Sequence, residues 1–494
     1  MADASPKPVK SSILEPGRNC WRIEKAARAA LVVDAEDYFR FAYEAMQKAR
    51  HQIILIGWDV DTRVRLVDEK GPSGAPVHLG PLISWLSRKR PALHIYVLAW
   101  DHAAISIPGR GTTGLRLARW AFHKRIHFRF DSTHPLAASH HQKILVIDDA
   151  IAFCGGIDIT GDRWDTRHHK DEDPGRRRPF TRRCYEPWHD AIMAVDQKAA
   201  CAIGDLARIR WKVASGHDIP VPPEGTEAWP EELKPAFSDV TVGIARTRAR
   251  EGPLEEIREI ETLFVDLIRG AKRFVYVESQ YFASRVIAEA IAERLKEPDG
   301  PEFVIINPRT AYGWLDGEVM TPARYLLFKS LKERDEHGRF HIYTPVTESG
   351  ADIYVHAKIM IVDDIYLRVG SANMNNRSMG LDSECDLLID TREGEDKEAA
   401  ATIARIRSDL MAEHLGVGRK EVEQTFERTG CLRDAFEELR GSGRTLKPLE
   451  LDVPNRLEKK MVNSEYLDPE GPDVFFEPQS RPKLLSRLRG RGRR

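Results

Sequence analysis

The chain has 494 residues, 42% hydrophobic and 31% charged, with a formal net charge of −1. That length and composition suit a soluble globular protein of more than one domain, and the balanced charge argues against a chain built as a whole to hold nucleic acid. The first residues lack the apolar core of a secretory signal, and no window approaches the roughly 20 apolar residues of a membrane-crossing helix.

In chain order, residues 1–30 read as an N-terminal arm. A helical period begins at AEDYFRFAYEAMQKAR and leads into an apolar strand at HQIILIG. The runs LHIYVLAW, KILVIDD and DAIMAV read as buried strands and complete a first half over 31–214. The Pro-rich, acidic stretch HDIPVPPEGTEAWPEELKP marks a linker over 215–250. The second half, 251–420, repeats the order: a helix in LEEIREIETLFVDLIRGAKR, a strand at FVYVESQYF, then EFVIINP, HIYTPV, KIMIVDD and CDLLID. Residues 421–494 read as a helical, then Pro-rich, extension ending in RPKLLSRLRGRGRR, which holds seven basic residues and no acid. Helix and strand alternating in both halves predicts an α/β class.

Six scattered cysteines show neither zinc-ligand spacing nor a disulfide framework. Cys154 and Cys385 sit in apolar runs and read as buried thiols. No metal or cofactor is expected. Trp58, Trp100, Trp188 and Trp211 read as core or pocket wall, and the basic loop around 176–183 as a solvated face or a contact for anionic headgroups.

The strongest signal is a polar constellation written twice. His141, Lys143 and Asp148 in HHQKILVIDD recur as His356, Lys358 and Asp363 in VHAKIMIVDD, each 215 positions after its counterpart. Downstream, Gly155-Gly156-Ile157-Asp158 aligns with Gly370-Ser371-Ala372-Asn373. A repeat of this size predicts two similar halves facing one shared site.

The residue types suit a phosphodiester. On a strand, His and Lys two apart point to one face, at the entrance to the apolar run that follows. Two lysines hold the non-bridging oxygens, one neutral imidazole attacks phosphorus, and the other protonates the leaving alcohol. This chemistry needs no metal. The aspartates, five residues beyond the lysines, fall on the other face and read as loop-fixing groups. Each histidine still requires a carboxylate to fix its tautomer. Glu384 is the candidate in half two, and Asp190 holds the comparable place in half one.

The duplicated His-x-Lys-x4-Asp resembles the hallmark of the phospholipase D superfamily. GGIDITGDRWDT, PWHD, VESQYF and GSANMNNRSM with DSE are similar to the branch common in eukaryotes, over roughly residues 30–415. The resemblance implies two α/β/α halves with mixed sheets, related by a pseudo-twofold axis, with the site at their interface. It implies His141 as nucleophile and His356 as acid and base. Lys143, Lys358 and Asn373 would contact phosphate, and Gly156, Ser371 and Gln280 would line the pocket. Asp158, standing where half two has Asn373, would not bind phosphate directly.

The expected activity is phospholipase D hydrolysis of a glycerophospholipid to phosphatidic acid and a headgroup alcohol, with transfer to other alcohols as an inherent side reaction. A cardiolipin synthase-type phosphatidyltransferase is the alternative, a nuclease or other phosphodiesterase a more distant one, and a non-catalytic lipid-binding module the non-enzyme reading. The expected partners are a phospholipid bilayer surface and a water or alcohol acceptor, with no nucleic acid. The chain is expected to work as a monomer, in the cytoplasm or peripherally on a membrane.

Overall fold

The computed structural model describes residues 12–69, 73–101, 112–135, 138–179, 181–310, 314–391 and 396–450. The basic C-terminal tail lies outside them.

Half one runs β1 (Arg22–Val33), α1 (Ala35–Lys48), β2 (Gln52–Gly57), α2 (Leu79–Lys89), β3 (His94–Trp100), α3 (Thr113–Ala121), β4 (Ile126–Asp131), β5 (Ile144–Ile147), β6 (Ile151–Gly155), β7 (Trp188–His189), β8 (Ala191–Asp196) and α4 (Gln197–Ser215). Half two runs β9 (Phe237–Arg248), β10 (Ile257–Arg258), α5 (Glu259–Gly270), β11 (Phe274–Glu278), α6 (Arg285–Leu295), β12 (Glu302–Ile306), α7 (Trp314–Lys332), β13 (Phe340–Val346), β14 (Tyr354–Val355), β15 (Ile359–Val362), β16 (Tyr366–Gly370), α8 (Asn376–Gly380), β17 (Glu384–Asp390) and α9 (Lys397–Leu415). Helices α10 (Arg419–Thr429) and α11 (Leu432–Leu439) and strand β18 (Thr445–Pro448) follow.

Sixteen of the strands form one continuous mixed sheet in the order β18-β13-β12-β11-β15-β16-β17-β9-β1-β8-β6-β5-β2-β3-β4, with β10 beside β9, while β7 and β14 pair in a separate two-stranded sheet. Apart from β18, that order is a palindrome about the β1–β9 pair, so the pseudo-twofold axis passes between those two strands. Within each half, three neighbouring strands are parallel (β2, β3, β4 and β11, β12, β13) and the rest antiparallel. The buried runs need no alternation, because helices cover both faces of the sheet. One apolar core crosses the axis under α4, α9, α10 and α11. On the other face each half keeps its own core, under α1 to α3 and under α5 to α7.

Three boundaries differ from the sequence reading. The arm over 1–30 contains most of β1, a 12-residue strand paired to β8 and β9. RIEKAARAALVV mixes charged and alanine positions, so its strand character comes from its two neighbours rather than from propensity. The linker over 215–250 likewise contains β9, which joins β1 to β17. The extension from 421 is not separate either. Its α10 and α11 pack into the shared core, and β18 adds an antiparallel edge to β13.

Candidate active site

The motif repeats at two turns that bend the chain identically. Asp148 and Asp363 both adopt positive φ, of 50° and 56°, just after β5 and β15. The Asp148 carboxylate accepts from the backbone N–H groups of Arg50, His51 and Gln52. Asp363 accepts from those of Lys272, Arg273 and Phe274, at 2.6 to 2.9 Å. Each aspartate thus ties the start of β2 or β11 to the far end of the neighbouring strand. They stand away from the histidines.

His141 and Lys143 precede β5 rather than lying on it; the regular strand begins one residue later, at Ile144. Their extended segment instead meets the other half. The backbone N–H of His141 donates to the Ser383 carbonyl (3.0 Å), and that of Ser383 to the Ser139 carbonyl (3.0 Å). The same junction recurs in half two, where β14 pairs in parallel with β7 and His356 N–H donates to the His189 carbonyl (2.7 Å).

These two junctions decide which carboxylate serves which ring. His141 Nδ1 lies 3.0 Å from Glu384 Oε1. His356 Nδ1 lies 2.6 Å from Asp190 Oδ2. Glu384 and Asp190, assigned by the sequence reading each within its own half, cross over: each holds the histidine of the opposite half. The correction follows from strand pairing, which aligns residues 139–141 with 382–384 and residues 354–356 with 188–190.

Both carboxylates are fully enclosed. Glu384 accepts from the Ser378 hydroxyl (2.7 Å) and from the Ser371 hydroxyl. Ser371 therefore serves the carboxylate. Gly156, its counterpart, leaves room for Asp190: a Cβ there would come within 2.1 Å of Asp190 Oδ1. Gln280 donates to the phenol oxygens of Tyr281 and Tyr354, both at 2.9 Å, and its amide oxygen faces Asn373 Nδ2 at 3.4 Å.

The lysines are buried beside the rings. Lys143 Nζ donates to the His141 carbonyl (2.7 Å) and lies 3.3 Å from Asp158. Lys358 Nζ donates to the His356 carbonyl. Desolvation and these two ammonium groups hold the His141 imidazole well below the usual histidine range. Burial, Lys358, Arg163 and Lys143 do the same to His356. Burial lowers Lys358 to about 7 and raises Glu384 to about 8. The free site thus presents neutral imidazoles in a pocket that favours added negative charge.

Trp188 closes one side. Its ring lies 5.2 Å from that of His356 and stacks on Tyr354 at 4.6 Å, with the Arg163 guanidinium 4.3 Å above it. Beside Trp188 and Tyr354 opens a cavity of about 290 Å³, which also takes in Tyr185 and Glu186 from half one and Arg309 and Asp352 from half two. Trp211 packs in the core, and the Trp58 and Trp100 rings lie 5.5 Å apart. Cys154 and Cys385 are buried free thiols. In the basic loop, Arg176 is buried against Asp165, while Arg177 and Arg182 line a cavity of about 680 Å³ on half one. The sequence reading missed Arg163, and it found no metal-ligating group. Among the described residues, Asp34, His169, His189 and Glu413 converge near Asp190, from segments too far apart in sequence to show a spacing.

Among the described residues no helix is long and apolar enough to cross a membrane. The Phospholipase D family profile matches residues 45–227 and 324–439. The chain is similar to Phospholipase D A of Dictyostelium discoideum, at 27% identity over 78% of this chain and 35% of that one. It is similar to Phospholipase D alpha 1 of Vigna unguiculata, at 23% identity over 90% of this chain and 72% of that one. In fold it resembles the crystal structure of phosphatidylserine synthase from Haemophilus influenzae, with a TM-score of 0.55 at 14% identity, over 85% of this chain and 97% of that one. The family match falls on both halves and takes in both His-x-Lys-x4-Asp copies, and the chain belongs to the phospholipase D family.

Proposed function

We propose that the protein is a phospholipase D, cleaving the headgroup ester of a glycerophospholipid to give phosphatidic acid and a free alcohol. The observation that carries this reading is the pair of imidazoles, His356 buried and His141 partly so, each held through Nδ1 by a carboxylate from the other half and each accompanied by a buried lysine. Nδ1 donation leaves Nε2 of each ring with a free lone pair in the neutral tautomer. His141 attacks phosphorus through Nε2 and the P–O bond to the headgroup breaks. His356, having taken up a proton on Nε2, gives it to the leaving oxygen. Lys143 and Lys358 balance the charge that builds on the non-bridging oxygens. Water, deprotonated by His356, then opens the phosphohistidine and restores His141. Asn373 and Gln280 bound the same site and position the phosphoryl group. The substrate lies in a bilayer, and the enzyme works on that surface as a single chain, since one chain supplies both halves of the site.

The relatives' names include phospholipases D, which supports this reading. Incubating the protein with phosphatidylcholine vesicles should release choline and phosphatidic acid, and added ethanol should divert product to phosphatidylethanol. His141→Ala and His356→Ala should each lower turnover by about 10³-fold or more. Release of diacylglycerol, or no product from any phospholipid while single-stranded DNA is degraded, would replace this reading with another phosphodiesterase activity. Transfer that persists without measurable hydrolysis would make it a phosphatidyltransferase.

A further inference from the structure

The densest grouping of titratable side chains outside the histidine–lysine pairs lies against the backbone of Asp190. Asp34 follows β1, His169 stands between β6 and β7, His189 ends β7, and Glu413 comes from α9 in half two. Their side chains are at most 2% exposed. Each offers one ligand atom, and these atoms all lie within 4.8 Å of one another. His169 Nε2 is 3.5 Å from Asp34 Oδ2 and 3.1 Å from Glu413 Oε1. His189 Nδ1 is 3.4 Å from Asp34 Oδ1 and 2.9 Å from Glu413 Oε1. Ligands on a tetrahedral zinc ion, with bonds of about 2.0–2.1 Å, stand about 3.3 Å apart.

Two further observations point to a cation. The remote nitrogen of each ring meets a carboxylate: His169 Nδ1 lies 3.0 Å from Asp165 Oδ2, and His189 Nε2 lies 2.8 Å from Glu278 Oε2. Donation there turns the lone pairs of His169 Nε2 and His189 Nδ1 toward the shared centre, as in a carboxylate–histidine–metal relay. Moreover, Asp34 Oδ2 is buried, borders that centre and receives no hydrogen bond.

Charge balance gives the same answer. Asp34, Asp165, Glu278, Glu413 and Asp409 face the cations Arg167, Arg176 and Arg444, which leaves two negative charges over. Two imidazolium rings would supply the balance, with both donating to Glu413 Oε1 and Asp34 Oδ2 left bare. One divalent ion supplies the same charge, keeps both rings neutral and gives Asp34 Oδ2 a partner.

We propose that Asp34, His169, His189 and Glu413 form a closed, four-coordinate site for a divalent transition metal, with zinc the best fit. The ion would tie α9 of half two to three groups of half one. It would also fix the carboxylate that holds His356. Asp190 follows His189, its N–H donates to Asp34 Oδ1 (3.1 Å), and the Asp34 N–H donates to its carbonyl (2.8 Å). The enclosed site has no open coordination position, so its role is structural.

The test is metal analysis of the full-length protein after desalting. One zinc per chain is expected in the wild type and in His168→Ala, an exposed neighbour. His169→Ala and Glu413→Gln should lose at least nine-tenths of it. Because those variants could misfold, the wild type is also stripped with chelator and titrated with Co²⁺ and Zn²⁺. One equivalent of Co²⁺ should give the visible bands of tetrahedral cobalt, and one of Zn²⁺ should raise Tm. A metal-free wild type that shows neither response overturns the site, and so does metal content unchanged in His169→Ala. Metal content and Tm are read without a lipid substrate, so this test stands or falls apart from the proposed activity.

Discussion

At the scale of single residues, the site is organised by exchange between halves. Glu384 does for His141 what Asp190 does for His356, and each carboxylate is shaped by the residue at the Gly156/Ser371 position. Replacing each carboxyl by an amide of the same shape should misplace a proton without unfolding the protein. Glu384→Gln and Asp190→Asn are each expected to lower kcat by about 10²–10⁴-fold, with circular dichroism and Tm close to wild type. The pH profile follows from the shifted groups. In the proposed mechanism attack requires neutral His141, and its lowered pKa keeps it neutral as pH falls below 6.5, so the acid limb of kcat/KM should lie below that value. Lys358 must be charged to meet the phosphoryl oxygens, and in the free enzyme it loses its proton as pH rises through about 7. His356, which must carry a proton as the acid, is also held low, so the alkaline limb of kcat/KM should fall no higher than about 7. That of kcat should lie higher, since bound phosphate favours the ammonium form. A single alkaline limb near 10 in both profiles would contradict this.

At the scale of elements, the motif aspartates and α4 carry stability rather than chemistry. Asp148→Ala and Asp363→Ala each strip three backbone N–H groups at a strand start of their acceptor. Each should cost about 2–3 kcal/mol, read from the urea midpoint, with far less effect on kcat than the histidine variants. From α4, Arg210 reaches Gln142 Oε1 (2.6 Å), the Ser383 hydroxyl of the other half (2.9 Å) and the Asp131 carboxylate. Its charge holds Asp131 well below the usual carboxylate range. Arg210→Met should therefore destabilise by about 3–5 kcal/mol at pH 7. The loss should shrink as pH falls below the ordinary aspartate value near 4, where Asp131 would be protonated in the unfolded chain. Legibility in the sequence divides along the same line. The histidine–lysine pairs, the aspartate turns and strands such as KILVIDD and KIMIVDD were readable, because spacing of two and unbroken apolar runs are local. The Glu384 and Asp190 crossover was not, because pairing of 139–141 with 382–384 is a tertiary choice. Nor were β1 and β9, whose alternation is diluted by alanine and arginine, nor the convergence of His169 with Glu413.

At the scale of the whole molecule, the palindromic sheet makes the chain its own dimer. Residues 12–216 contain His141 without Glu384, and residues 236–450 contain His356 without Asp190. Expressed separately, each piece should lack turnover on phosphatidylcholine; co-expressed, they should regain it through β1 and β9. Activity in either piece alone would contradict the crossed arrangement.

The β1–β9 ladder, seven residue pairs from Arg22 with Ile244 to Ala29 with Phe237, runs along the axis itself. Such a seam cannot swing like a hinge without breaking backbone bonds in its middle, so the lobes cannot gape to swallow a substrate. A phosphodiester must then thread into a rigid slot, and on the proposed reading headgroup selectivity belongs to the rim. Exchanging rim side chains such as Arg309 or Glu186 should reorder headgroup preference while the catalytic floor keeps its shape.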